Sequence, residues 1–443
     1  MQFREAIDTD AHDLLGLARA VASKGAGATL LVELPGDLAA LGNDYLAQER
    51  RLDEAALEVR KSWLGIAHRP ADATLKSPQE GDTTRVADGE TLRFGYERDL
   101  DVSLLEERGA AYMRPPAGWT GETVIYRSGQ AALASLLQYS ATTWCSRRAL
   151  TVAHAGAYFE TTALVAAWPQ RTFRPVRPSA SSADIVIAEP VWCDGRFGIT
   201  TRLPRARHVV LIDTTMVGPA HDLGPLLSAG EDCSLVIAFS SGLKLDQAGL
   251  ELANAGIVRI LARQGSAGAG HTATRLRELR ALMGGGLTVD ELSALSAPWF
   301  LDRGYVDRYA AAIFANNRTL AEAIGTRSAV FGAHCHPSLA LTDAVAPFCA
   351  IELRHPSPDR LRRLAEIVGR ESERRGLLLT EGGSFGFRGH RFELIEPEID
   401  AGRPFLRVAL GWRGGHSCRG LVDLFAELSA HASFEAMDRA YGR

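Results

Sequence analysis

The sequence predicts an α/β protein, a mostly parallel sheet covered by helices, followed by a smaller α+β lobe. From Thr123 onward, short β-branched runs alternate with helical patterns: "TVIY", "ALTVA", "DIVIAEP", "HVVLIDT", "SLVIAFS" and "GIVRILA". Runs that are apolar on both sides and separated by crossover lengths suit strands buried on both faces of a sheet. From about Trp299 the pattern changes to long helices, "YVDRYAAAIFANNRTLAEAI" and "SPDRLRRLAEIVGRESERRG", with the antiparallel-looking strands "PFCAIELR" and "FLRVALGW".

Ahead of the sheet lie an amphipathic start, "AHDLLGLARAVASKG", a charged helical run, "YLAQERRLDEAALEVRKSW", and a polar stretch, "DATLKSPQEGDTTRVADGE". The chain therefore divides into a helical N-terminal extension (1–95), a large α/β domain (96–298) and a small α+β domain (299–443). A length of 443 residues fits two or three such bodies. Two glycine-rich joints, "RQGSAGAGHTATR" and "MGGGLTVDELSAL", follow the last strand of the sheet pattern. "GSAGAG" lies outside the strand-to-helix setting of a dinucleotide fingerprint and reads as a hinge or loop.

A net charge of −4 with both signs interspersed gives no nucleic-acid or anionic-membrane signature. The N-terminus carries acids and lacks an apolar core, and no window approaches a membrane span, so a cytoplasmic protein is expected. Its six cysteines are scattered without CxxC spacing, as reduced thiols would be. "HCH" at 334–336 lacks the further Cys/His cluster of a metal site and reads as a loop.

The chemistry centres on "FSSGLKLDQAG". Lys244 lies just past the carboxyl end of the strand "SLVIA", in the place where α/β proteins hold ligands. The preceding strand, "HVVLI", ends in Asp213, so an acid and an amine share one rim of the sheet. Pyridoxal phosphate needs this pair: its aldehyde requires a lysine, and its ring nitrogen requires an acid to stay protonated. Such a contact at about 3 Å is worth roughly 5 kcal/mol at an effective dielectric near 20, before desolvation. For the phosphate, "IYRSGQAALASLL" offers a strand, the turn Ser128-Gly129-Gln130 and a helix start. Tyr158, in "AYFETTAL", stands where an aromatic ring could lie on the cofactor.

In order and approximate spacing these features resemble fold-type I pyridoxal phosphate enzymes, most closely the Cys/Met-metabolism (transsulfuration) family, over about residues 94–430. The resemblance implies a large domain with a mostly parallel seven-stranded sheet and a smaller α+β domain. It also implies a homodimer or homotetramer with active sites between subunits. "FGYERDLDVSLLEE" matches the family's "YxR" segment with Tyr96 and Arg98, which would reach the phosphate of a neighbouring subunit. Gly129 and Gln130 match its phosphate turn, Tyr158 its ring-stacking tyrosine and Asp213 the acid of "DNTF"; Ser241 and Lys244 match "SxTK". "GGSFGFRG" and "FLRVALGW" match the segments that hold the substrate α-carboxylate, with Ser384 and Arg407. A guanidinium fork suits that two-point recognition.

Departures accompany the match. Leu243 replaces the threonine before the lysine, Gln130 a methionine, and Phe159 and Glu160 the glycines after the tyrosine. "EPVWCDG" retains Glu189 and Pro190 but lacks the family's asparagine, leaving Trp192 or Cys193 at that place. The implied activity is Cα deprotonation of an amino acid by Lys244, with Tyr96 or Tyr158 as an assisting acid, then β- or γ-elimination or replacement. S-Adenosylmethionine is one conceivable donor, in specialised metabolism. The alternatives are an aminotransferase, which uses the same lysine and acid, and a degenerate protein that has kept only the fold.

Overall fold

In a computed structural model, residues 2–441 are described apart from 27–30, 146–147, 180–181, 202–204, 220, 230–232, 234, 266–267 and 397–402. The "GSAGAG" stretch lies partly outside these described residues.

The N-terminal sequence forms two long helices, α1 (Gln2–Val21) and α2 (Tyr45–Ala67). In α2, Leu52, Ala55, Val59, Trp63 and Ile66 recur at helical spacing and are buried, and Asp44 caps the helix by accepting from the Ala47 amide at 3.0 Å. This stripe packs with α1 against residues 248–257 and 287–306. The helices are therefore built into the fold beside the segment that follows Lys244. Arg60 Nε donates to the Leu250 carbonyl at 2.8 Å and Trp63 Nε1 to the Ala294 carbonyl at 2.7 Å.

The central sheet comprises β1 (Trp119–Tyr126), β2 (Leu150–Ala155), β3 (Phe173–Val176), β4 (Ser182–Ala188), β5 (Arg205–Asp213), β6 (Leu235–Ser241) and β7 (Gly256–Arg263). Between these strands run helices α3 (Gly129–Trp144) after β1 and α4 (Phe159–Ala166) after β2, and α5 (Gly268–Leu282) follows β7. The spatial order is β1-β7-β6-β5-β4-β2-β3. Only β7 runs against its neighbours, so the sheet is mixed and mostly parallel. One face, with Ile185, Leu211, Ile237 and Val258, is covered by Leu133, Leu136 and Leu276 of α3 and α5; the other carries Val186, Val210, Val236 and Leu261. Burial on both faces is what the uninterrupted apolar runs required. The six β-branched runs fall in β1, β2, β4, β5, β6 and β7, whereas β3, "FRPV", gives too short a run to stand out.

The C-terminal region contributes α6 (Arg303–Ile324), β8 (Cys349–Ile351), α7 (Pro358–Arg374), β9 (Thr380–Glu381), β10 (Arg391–Ile395), β11 (Phe405–Ala409) and α8 (His416–Ser429). Its four strands pair in the order β8-β11-β10-β9, antiparallel except for β10 with β9. Ser357 caps α7, with Pro358 at its first position. One face of the small sheet, with Cys349, Phe392, Leu406 and Val408, joins the core of the helices. The opposite face, with Ala350, Phe405 and Ala409, meets Phe385, Cys193, Phe197 and Met216, which belong to loops and a hairpin near the rim of the large sheet. That second face therefore borders the cleft.

Candidate active site

The parallel strands place their carboxyl ends on one rim, where β5 delivers Asp213 and β6 leads to Lys244. Asp213 pairs in register with Phe239. The helix α3 begins on the same rim, capped by the Ser128 hydroxyl, which accepts from the Ala131 amide at 3.0 Å. Helical geometry leaves the Gly129 and Gln130 amides without intrahelical acceptors. A Cβ on Gly129 would lie 3.4 Å from the Ser241 amide nitrogen, and one on Gly256 would lie 2.2 Å from the Ser128 carbonyl oxygen. The α3 start and the β6 end are thus in close contact, and the neighbouring strand needs glycine at 256. The result is a cup of backbone donors with the Ser241 side chain beside it, suited to a phosphate.

Asp213 is held by the Thr215 amide at 2.9 Å, while Thr215 Oγ1 accepts from the Ser241 amide at 3.0 Å. Burial pushes its carboxyl up to about 6, against the lowering effect of its bonds to Thr215. No ion pair to Asp213 occurs among the described residues, so this acid is suited to receive a cation. Because the folded protein binds this proton more tightly than the unfolded chain, its contribution to stability falls as pH rises from 3.8 to about 6. Asp213→Asn is expected to stabilise the cofactor-free protein at pH 8 by up to about 3 kcal/mol. Urea titrations of both proteins should show that advantage shrinking by pH 4.

Lys244 Nζ donates to Ser384 Oγ at 2.6 Å and lies 5.9 Å from the centre of the Phe385 ring. Burial lowers its pKa, with Glu251 opposing and Arg407 assisting, which favours the neutral amine needed for nucleophilic and basic work. The loop holding Ser384 is tightly seated: Ser384 has φ +73°, and a Cβ on Gly386, at φ +89°, would lie 2.0 Å from the Lys244 carbonyl oxygen. Behind this loop, Arg388 is buried against Asp10 and Asp13 of α1, and Arg413 donates to Asp10 at 2.6 Å.

On the other side of the cleft, Tyr158 starts α4; its amide donates to Glu189 Oε1 at 2.9 Å and its hydroxyl to Glu160 Oε2 at 2.7 Å. Glu160 Oε2 also accepts from Gln130 at 3.0 Å, and Glu189 Oε1 meets His154 Nε2 at 2.9 Å. Burial and the bond to Glu160 push the Tyr158 phenol upward, so it keeps its proton. Two of the departures from the family pattern, Gln130 and Glu160, therefore meet in one hydrogen-bonded group.

Arg407 and Glu393 are direct cross-strand partners on β11 and β10, and the two side chains form an ion pair. The Arg407 guanidinium carbon lies 5.6 Å from the Phe348 ring centre. Within the chain the structure brings Lys244 to Ser384 and Ser128–Gln130 to Ser241, and sets Asp213, Tyr158 and Arg407 around the same cleft. Tyr96 and Arg98 are elsewhere: both are solvent-exposed, with the Arg98 guanidinium 5.1 Å from the Tyr96 ring, and no bond joins them to the Lys244 cluster among the described residues. Cys193 sits in an apolar group with Phe385 and Phe405, and burial pushes its thiol up to about 12. Trp192 packs over Gly198 in the hairpin 191–199. His336 of "HCH" is bonded to Ser338 and Ala346, and burial pushes its pKa down to about 4.

No family model matches the chain, and no curated protein matches it by sequence. Solved structures do match. The methionine gamma lyase CalE6 from Micromonospora echinospora aligns over 79% of this chain and 89% of its own, at 18% identity and a TM-score of 0.52. Cystathionine gamma-lyase from yeast aligns over 85% and 98%, at 13% identity and TM-score 0.55. The chain has the fold of the fold-type I pyridoxal phosphate enzymes. A cystathionine gamma synthase from Xanthomonas oryzae pv. oryzae, in complex with aminoacrylate and cysteine, aligns over 84% and 99%, at 16% identity and TM-score 0.51. This fold-type I chain contains, among its described residues, no helix long and apolar enough to cross a membrane.

Sequence reasoning missed Thr215, His154 and Glu393, and it named Glu160 only as a departure, without its bonds to Tyr158 and Gln130. Thr215 lies two residues past Asp213 and could have been found as an Asx-type partner. Glu393 sits in "RFELI", whose alternation marks a strand, but nothing local tells which residue it opposes.

Proposed function

We propose that the chain is a pyridoxal phosphate enzyme that deprotonates an amino acid at Cα and then eliminates or replaces a β- or γ-substituent. The observation that carries this reading is the placement of Asp213 at the end of β5 and of Lys244 in the turn just past the end of the adjacent β6, beside the α3 donor cup. The residues present fit the cofactor: the α3 amides and Ser241 for its phosphate, Asp213 for its ring nitrogen, Tyr158 for a ring face and Lys244 for its aldehyde. When bound, the cofactor supplies an electron sink for charge left at Cα.

The chain's own residues do the rest. Arg407 and Ser384 grip the α-carboxylate and fix which Cα bond is broken. Lys244, whose pKa is lowered by burial, takes the α-proton. Asp213 supports the charge that develops; Tyr158, which keeps its proton, or the Tyr96 hydroxyl of a neighbouring subunit can give a proton to a leaving group. S-Adenosylmethionine, with its sulfonium γ-leaving group, is one donor within this class. Arg407→Gln is expected to raise KM about 100-fold or more, with a smaller fall in kcat, in steady-state assays.

Tyr96 and Arg98 are exposed on their own subunit and belong, in this reading, to a neighbour's phosphate site in a homodimer or larger assembly. Exposed Leu282 and Met283 suit burial against a second copy. Mixing inactive Lys244→Ala and Tyr96→Ala subunits should restore about a quarter of the native activity, because half of random dimers are mixed and each has one intact site. No recovery after verified subunit exchange would overturn the shared site.

Spectra of the protein with pyridoxal phosphate and a panel of homoserine esters, cysteine, methionine and S-adenosylmethionine test the reaction class. α-Keto acid release or replacement products are expected. Amino-group transfer to a keto acid without loss of a side-chain substituent would contradict it.

A further inference from the structure

We propose that Glu393 selects the substrate, favouring an amino acid whose side chain carries a positive charge at the γ-position. This rests on the reading that Arg407 receives the α-carboxylate, and it names the substrate class for that site.

Glu393 and Arg407 oppose each other directly across β10 and β11, so both side chains stand on one face of the small sheet. That face also carries Phe405 and Ala409, and it packs with Phe348, Phe385, Cys193 and Met216 beside the cleft. Glu393 is paired with the guanidinium that a substrate carboxylate would occupy, and its side chain is 34% exposed. It also borders the loop that bears Ser384, since a Cβ on Gly383 would lie 3.1 Å from Glu393 Oε1. Arg407 Nε is buried without a hydrogen-bond partner, so the guanidinium retains an unused donor.

An incoming carboxylate therefore competes with a carboxylate already in place. If it takes the Arg407 fork, the Glu393 charge loses its counterion in a partly dehydrated cleft. Arg391, two residues away on the same strand face, forms no ion pair with Glu393 among the described residues: it donates to the Gly383 carbonyl at 3.2 Å, and its guanidinium carbon lies 3.3 Å from the Phe387 ring centre. A substrate with a neutral side chain leaves Glu393 unpaired. One with an ammonium or sulfonium group supplies the replacement cation, beside the Phe348 and Phe385 rings that already lie against the Arg407 guanidinium and the Lys244 amine. The pair thus works as a filter, repelling simple carboxylates and admitting zwitterions that carry one further positive charge.

Two probes without a primary amine separate this from cofactor chemistry. 4-(Trimethylammonio)butanoate carries a carboxylate and a γ-placed cation; 5,5-dimethylhexanoate is its neutral isostere. Calorimetric titration of the full-length protein, with and without pyridoxal phosphate, should show at least tenfold tighter binding of the cationic probe. Glu393→Gln should erase that preference, mainly by tightening the neutral probe about tenfold, and Arg407→Gln should weaken both. Equal binding of the two probes by the wild-type protein overturns the proposal, as does failure of both to bind, an unchanged preference in Glu393→Gln, or binding that survives Arg407→Gln. If Glu393→Gln does not fold, the wild-type comparison alone decides. The absorbance of bound cofactor in the same samples reports separately on the proposed enzyme class.

Discussion

Lys244→Ala is expected to fold normally and to lose at least a thousandfold in turnover. Position 244 follows the last strand residue of β6 and lies in a turn, so the side chain does little for the sheet. Its amine is bonded to Ser384 and has its pKa lowered by burial, the environment of a base rather than of a surface cation. A positioned general base contributes about 10²–10⁴-fold, and loss of the covalent anchor for the cofactor adds to that. An added small amine should recover part of the proton transfer. Turnover within tenfold of the parent would show that Lys244 does not hold this role.

Asp10→Asn should destabilise the protein by about 3–5 kcal/mol, although residue 10 is distant in sequence from every residue of the site. Asp10 is fully buried and accepts from both Arg388 and Arg413, whose side chains are only 3% and 2% exposed. Burial opposes its ionisation, but the two arginines outweigh that and hold its carboxyl below the ordinary range. Removing the charge leaves two buried guanidiniums with, among the described residues, only Asp13 and Asp53 as remaining ion-pair partners. The wild-type advantage should be complete above the unfolded-chain value of 3.8 and disappear as pH falls through the lower folded value. Urea titrations at several pH values measure it. Because Arg388 follows the loop that carries Ser384, the variant should also weaken the grip on the substrate carboxylate. A change below 1 kcal/mol would mean that the N-terminal helices are not clamped by this network.

The sheet was legible because strands buried on both faces must be apolar throughout, and six such runs stand out between Thr123 and Arg263. Lys244 and Asp213 were legible because strand ends fix where a following residue lies. The reversal of β7 was not, since an apolar run looks the same in either direction. Nor was the Arg407–Glu393 pair, which depends on the register of two strands, one ending at Ile395 and the other beginning at Phe405. The buried cluster of Asp10, Arg388 and Arg413 was hidden for the same reason: ordinary charged residues become partners only when distant segments meet.

The most direct test is to incubate the purified protein with pyridoxal phosphate, reduce it with borohydride and map the modified peptide by mass spectrometry. A stoichiometric adduct on Lys244, absent from Lys244→Ala, is the predicted result. No adduct, or adducts spread over surface lysines with Lys244 unmodified, would contradict the assignment of this cleft as a pyridoxal phosphate site.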